Sequence, residues 1–242
     1  MSSLRHLFGL AALSTLFLTA CSSPPGRPNE NSEVLAPSDV TDFSTLYAQN
    51  CAACHGADGR NGAAIELASP VYLAIIDKST LRNVIANGVR GTSMAAFAQS
   101  AGGMLTDKQV DSIANGIFSH WARAGILDGT NPPSYTAKTA GNAANGLLVY
   151  ATYCASCHGP EGQGGSKGSA ITNDSFLALL TDQELRTMVI TGRPELGAPD
   201  WRNNVPGKPM SDQEITDVVA WLASRRVQNP GQPYSAANYE KH

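Results

Sequence analysis

Apolar residues recur at helical spacing toward the end of each half of the chain. Val110, Ile113, Ala114, Ile117, Phe118 and Trp121 fall on one face, as do Ile215, Val218, Val219 and Leu222. Each run is preceded by a capping signature, Thr106-Asp107-Lys108-Gln109 or Ser211-Asp212-Gln213-Glu214. Upstream, Leu81-Arg82-Asn83-Val84-Ile85 runs to Gly88, and Leu185-Arg186-Thr187-Met188-Val189 runs to Gly192. A glycine there is a common helix stop, and Thr181 to Glu184 supplies another capping box. Phe43 to Asn50 and Ala144 to Tyr153 predict a further helix at the head of each half. No stretch alternates as a half-buried strand would, so the expected class is all-α and internally duplicated.

Each first helix leads into the same short motif, Cys51-Ala52-Ala53-Cys54-His55 and Cys154-Ala155-Ser156-Cys157-His158. Cys-x-x-Cys-His is the attachment signature of c-type haem. Two thiols at that spacing add to the two vinyl groups of one porphyrin, and the adjacent imidazole reaches the iron. The competing readings are half a zinc site and a redox dithiol. Zinc needs four converging ligands, and a dithiol of the thioredoxin kind needs a βαβ setting that this pattern lacks. The expectation is therefore two covalently bound haems, held by Cys51, Cys54, Cys154 and Cys157. Tyr47 and Tyr150 precede the motifs at matching positions. Glycine-rich loops follow, with Gly56, Gly59 and Gly62 in one half and Gly159, Gly162, Gly164 and Gly165 in the other.

Composition narrows the setting. The chain has 242 residues, a net charge of −3 and only 15% charged residues, so no basic surface points to nucleic acid. Arg5 and His6 precede an apolar run from Leu7 to Ala20, short of the roughly 20 residues that span a bilayer. That pattern is an export signal. Leu18-Thr19-Ala20-Cys21 is similar to a bacterial lipoprotein signal, with Cys21, the fifth cysteine, as the lipidated residue. The expected location is the periplasmic side of a bacterial membrane, held there by lipid.

Each half resembles a class I c-type cytochrome domain. The expected layout is a signal peptide at 1–20, a flexible tether at 21–40, one cytochrome c domain at 41–128, a Pro-containing linker at 129–141, a second domain at 142–228 and a tail at 229–242. The resemblance implies a small helical fold whose first and last helices cross around a haem, with His55 and His158 as proximal iron ligands. It also implies a distal methionine. Gly91-Thr92-Ser93-Met94-Ala95-Ala96-Phe97 is similar to the family's ligand loop, which makes Met94 the expected ligand and Met104 its rival. Matching Phe97 to Trp201 puts Ala198 where Met94 stands, and alanine cannot bind iron. Met210 is the nearest thioether in the second half. Met188, a ligand from elsewhere and an open iron are the alternatives. Among the five histidines, His120 is the one further candidate inside a domain.

The expected function is electron transfer rather than catalysis. The chain would take electrons from a quinol-oxidising complex or a dehydrogenase and pass them to a terminal oxidase or a soluble cytochrome, as a carrier or as a subunit of such a complex. The alternative is a peroxidase-like haem enzyme that uses an open second haem, with Glu195 the nearest acid to that loop. A redox or gas sensor is a third class, and it would need a signalling partner.

Overall fold

Short polar side chains set where the helices begin. The computed structural model describes residues 35–227 and 230; the expected signal peptide, Cys21 and nearly all of the expected tail lie outside them. Helix α1 (Phe43–Asn50) starts where the Asp42 carboxylate accepts the Thr45 amide at 2.8 Å. It breaks at Cys51 and resumes as α2, the single turn Ala52–His55. Helices α3 (Pro70–Ile75), α4 (Lys78–Asn87) and α5 (Asp107–Trp121) complete the first half. The second half repeats the order with α6 (Ala143–Tyr153), α7 (Ala155–His158), α8 (Asp174–Ala178), α9 (Asp182–Thr191) and α10 (Asp212–Ala223). The expected capping boxes at Thr106, Thr181 and Ser211 are all formed. Among the described residues there are ten α-helices and no strand beyond two isolated bridges. The short helices α3 and α8 were not expected. Their caps, Ser69 before Pro70 and Asn173 before Asp174, were their only sequence signals.

In each half the first and last helices approach closely because one of them carries a glycine at the contact. In the first half it is Gly116 of α5, where an added Cβ would lie 2.1 Å from the Phe43 ring. In the second it is Gly146 of α6, where a Cβ would lie 2.0 Å from the Asp217 carbonyl oxygen. Behind the first contact lies a core of Leu46, Tyr47, Leu81, Ile85, Val110, Ile113 and Ile117. The second core contains Val149, Tyr150, Leu185, Trp201, Ile215, Val218 and Leu222. Val71 of α3 belongs to this second core, so the halves share apolar packing.

The segment joining the halves is held down by a buried cation. Arg186 of α9 is 2% exposed. It donates to the Ser134 carbonyl at 2.9 Å, the Tyr135 carbonyl at 3.2 Å and the Thr216 hydroxyl at 2.9 Å, and it pairs with Asp212. A buried guanidinium needs that many partners to offset its lost hydration.

Candidate haem sites

The break after the first helix builds the site. Cys51 has φ −120° and ψ −36°, and Cys154 has φ −121° and ψ −35°, so the two halves turn the same corner. The following one-turn helix places the second cysteine three residues on, on the same helical face as the first. Gly56 and Gly159 then leave the turn with φ +83° and +81°, a backbone that suits glycine. At Gly56 a Cβ would sit 1.7 Å from the Arg60 carbonyl oxygen, so space as well as conformation demands glycine. The Tyr47 hydroxyl donates to the Gly56 carbonyl at 2.9 Å, and Tyr150 donates to Gly159 at 2.5 Å. Both tyrosines lock the motif to the helix that precedes it.

The imidazoles are aimed by backbone. His55 Nδ1 lies 2.9 Å from the Ile65 carbonyl, and His158 Nδ1 lies 2.8 Å from the Ser169 carbonyl. A carbonyl can only accept, so Nδ1 carries the hydrogen and Nε2 is left as a lone-pair donor for a metal. Burial pushes the His55 pKa down against the pull of its carbonyl partner, which favours the neutral, ligating form. Gly168 gives the second ring its space, since a Cβ there would lie 2.8 Å from His158 Nδ1.

The thiols fit haem attachment better than the competing readings. Burial first, then the neighbouring Cys54, pushes the Cys51 thiol up to about 11; burial and Cys157 push Cys154 up to about 12. A redox dithiol works through a depressed thiol pKa, and zinc through thiolates. Among the described residues no three His, Cys, Asp or Glu side chains gather in a way that could hold a metal ion. Two thiols of one turn and an imidazole with a free Nε2 are the donor set that a covalent haem needs, and the chain presents it twice.

The distal sides differ. In the first half the Val89 amide donates to the Met94 carbonyl at 2.9 Å, and in the second the Arg193 amide donates to the Ala198 carbonyl at 2.9 Å. The same turn therefore carries Met94 in one half and Ala198 in the other, in the register expected from sequence. Met94, half-buried, is held by its amide on the Thr92 hydroxyl at 3.1 Å. A second pair of bonds fixes the register further on. Leu105 N donates to Phe97 O at 2.8 Å, and Met210 N donates to Trp201 O at 2.9 Å. Met210 thus stands where the first half has the core residue Leu105. It is 3% exposed, belongs to the second core, and has Asn204 Nδ2 at 3.8 Å from its sulfur. Met104 is 84% exposed, and Met188 is half-buried on α9. His120 Nδ1 is engaged by the Gly116 carbonyl of its own helix at 2.9 Å.

Comparison with known proteins agrees with the duplication. The profile of cytochrome c oxidase, cbb3-type, subunit III matches residues 38–115 and again 141–222. The cbb3-type cytochrome c oxidase subunit CcoP of Azospirillum sp. (strain B510) is 33% identical over 131 residues, covering 50% of this chain and 39% of that protein. Thiosulfate dehydrogenase of Stutzerimonas stutzeri (strain A1501) is 34% identical over 196 residues, covering 75% of this chain and 61% of that one. The chain therefore spans less than two thirds of the length of either relative. Among solved structures, the Kuenenia stuttgartiensis reducing HAO-like protein complex Kustc0457/Kustc0458 matches with a TM-score of 0.46 and 18% identity, covering 76% of this chain and 96% of that one.

Proposed function

From the premise that the chain belongs to the cbb3-type cytochrome c oxidase subunit III family and is a tandem c-type cytochrome, we propose that it relays electrons between larger redox proteins. One observation carries the reading: a Cys-x-x-Cys-His turn with its imidazole Nδ1 fixed on a backbone carbonyl, built twice. Cys51, Cys54 and His55 would hold one haem, and Cys154, Cys157 and His158 the other. The bound haems supply reversible one-electron chemistry, and the protein sets potential and access. Met94 is the proposed distal ligand of the first iron.

The donor would be a quinol-oxidising complex or a dehydrogenase, and the acceptor a terminal oxidase or a soluble cytochrome. Relatives named as an oxidase subunit and as a dehydrogenase support a place within or beside such a complex. Export and lipidation at Cys21 would tether the protein on the periplasmic side of a membrane. Among the described residues no helix is long and apolar enough to cross one.

A reductive titration of the matured protein tests the relay. It should take up two electrons per chain with c-type absorption, and return them to an oxidised small cytochrome. A protein that takes up no electrons would overturn the proposal.

A second reading rests on the distal register. Ala198 occupies the place of Met94, and Met210, the expected second thioether, occupies that of Leu105. In this reading the second iron keeps an exchangeable sixth position, open to a small ligand and to peroxidase-like chemistry. Carbon monoxide would then bind the reduced protein at one of its two haems. Binding at neither would remove the enzyme reading.

A further inference from the structure

The two halves also meet through a pair of acidic side chains that the electron relay leaves unexplained. Glu66 follows Ile65, whose carbonyl holds His55, in the loop between α2 and α3. Glu195 lies in the short turn Pro194–Leu196, inside the same loop that carries Ala198. The pair therefore joins the proximal loop of the first site to the distal turn of the second.

Both carboxyl side chains are largely withdrawn from water. The side chains of Glu66 and Glu195 are 8% and 15% exposed. Arg193 pairs with Glu195 and reaches across the contact to the Gly62 carbonyl at 3.1 Å. Arg60 pairs with Glu66 at 3.2 Å, but its side chain is 46% exposed and its charge is partly screened by water. These two arginines and two glutamates are the charged groups that face one another here.

One atom is left over. Among the described residues, Glu195 Oε2 is the sole buried side-chain nitrogen or oxygen without a hydrogen-bond partner. Glu66 is the neighbouring carboxyl with which the Glu195 side chain interacts. Two ionised carboxylates are acceptors only, so neither can donate to the other. A single proton changes that: a neutral Glu66 carboxyl donates to Glu195 Oε2, and the orphaned oxygen is satisfied.

We propose that Glu66 and Glu195 together form a redox-linked proton site, holding one exchangeable proton across the contact between the two halves. The balance is simple. The redox partner delivers one electron to the chain, and the pair passes from two negative charges to one by taking a proton from water. Nothing in the pair is itself oxidised or reduced. An added electron on either side makes the surroundings more negative and raises the proton affinity of the pair.

The electrostatics place the proton on Glu66. Burial, then the hydrogen bond and charge of Glu195, push its carboxyl up to about 7, against the opposing pull of Arg60 and Arg193. For Glu195 burial acts in the same upward direction, but the Arg193 bond, its own backbone and Glu66 outweigh it and hold the carboxyl below the usual range. The contribution to the contact follows the raised group. It is complete in acid and is lost as pH rises through neutrality.

The coupling rests on the electron-relay reading, and the experiment separates the two. Reduction potentials of the matured protein are measured by spectropotentiometry from acid to mildly alkaline pH, with proton uptake on reduction followed by an indicator dye. The wild type should show a potential that falls as pH rises across neutrality, and fractional proton uptake per electron. In Glu66→Gln the amide donates to Glu195 Oε2 but cannot titrate, so both effects should largely disappear. In Glu195→Gln the opposing charge is gone, and the pH dependence should move about one unit toward acid, a tenfold drop in proton affinity. A flat wild-type profile, or an unchanged slope in Glu66→Gln, would overturn the site while leaving electron uptake intact. A protein that accepts no electrons would instead defeat the relay.

Discussion

The attachment sides of the two halves are nearly superimposable in their chemistry, and the distal sides are not. Cys51 and Cys154 share one backbone corner, Tyr47 and Tyr150 make the same bond, and both imidazoles rest on carbonyls. On the other side, Met94 of the first half corresponds in register to Ala198 of the second, and Leu105 corresponds to Met210. Two thioethers and one imidazole must meet a rigid planar group at once, and that geometry tolerates no drift. The sixth position asks for one side chain or none, so it is freer to diverge.

The helix crossing gives the largest expected break in the symmetry. Gly116 faces a movable phenyl ring, whereas Gly146 faces a backbone carbonyl. Gly146→Val should cost about 3 kcal/mol or more, because the backbone must shift, and Gly116→Val should cost clearly less. Thermal unfolding followed by far-ultraviolet circular dichroism measures both. Equal losses would mean that the two crossings are equivalent after all.

Arg186 comes next. It is buried in the second half and holds the joining segment. Arg186→Leu should destabilise by about 3 kcal/mol, since the Ser134 carbonyl loses its donor and Asp212 its counter-charge. Urea unfolding would report it, and faster proteolysis within residues 129–141 would identify the segment released. A stability within a few tenths of a kcal/mol of wild type would show that the segment needs no such anchor.

The tyrosine substitutions test the part that is shared. Tyr47→Phe and Tyr150→Phe each remove one hydroxyl-to-carbonyl bond and should each cost about 1 kcal/mol. A clear inequality would show that the two motifs are not equally dependent on this lock.

The smallest structural change separates the distal sides. Met94→Leu should lower the first potential, because it would remove the proposed thioether ligand of the first iron. Met210→Leu keeps the volume and should cost less than about 1.5 kcal/mol, with both haem absorption spectra unchanged. A shifted spectrum in Met210→Leu would return that sulfur to the second iron.

Much of this was legible from sequence because it is local. The haem motifs, the capping boxes at Thr106, Thr181 and Ser211, and the glycine stops at Gly88 and Gly192 each lie within a few residues of what they control. The short helices α3 and α8 escaped because their one or two turns leave no periodic stripe. Val71, Arg186 and the Glu66–Glu195 contact depend on neighbours far along the chain, and no local pattern announces them. Met210 lay between the two. It immediately precedes the cap Ser211, the position from which an apolar residue packs back onto its own helix. Leu105 occupies that place before Thr106, and comparing the two would have marked Met210 as a core residue.

The most direct measurement is peptide mass spectrometry on protein matured in a host that attaches c-type haem. After denaturation and proteolysis, the peptides containing Cys51–Cys54 and Cys154–Cys157 should each carry one covalent haem, and each should keep it through acid extraction. Haem on only one peptide would refute the duplicated site, and two bare peptides from a competent host would contradict the whole account.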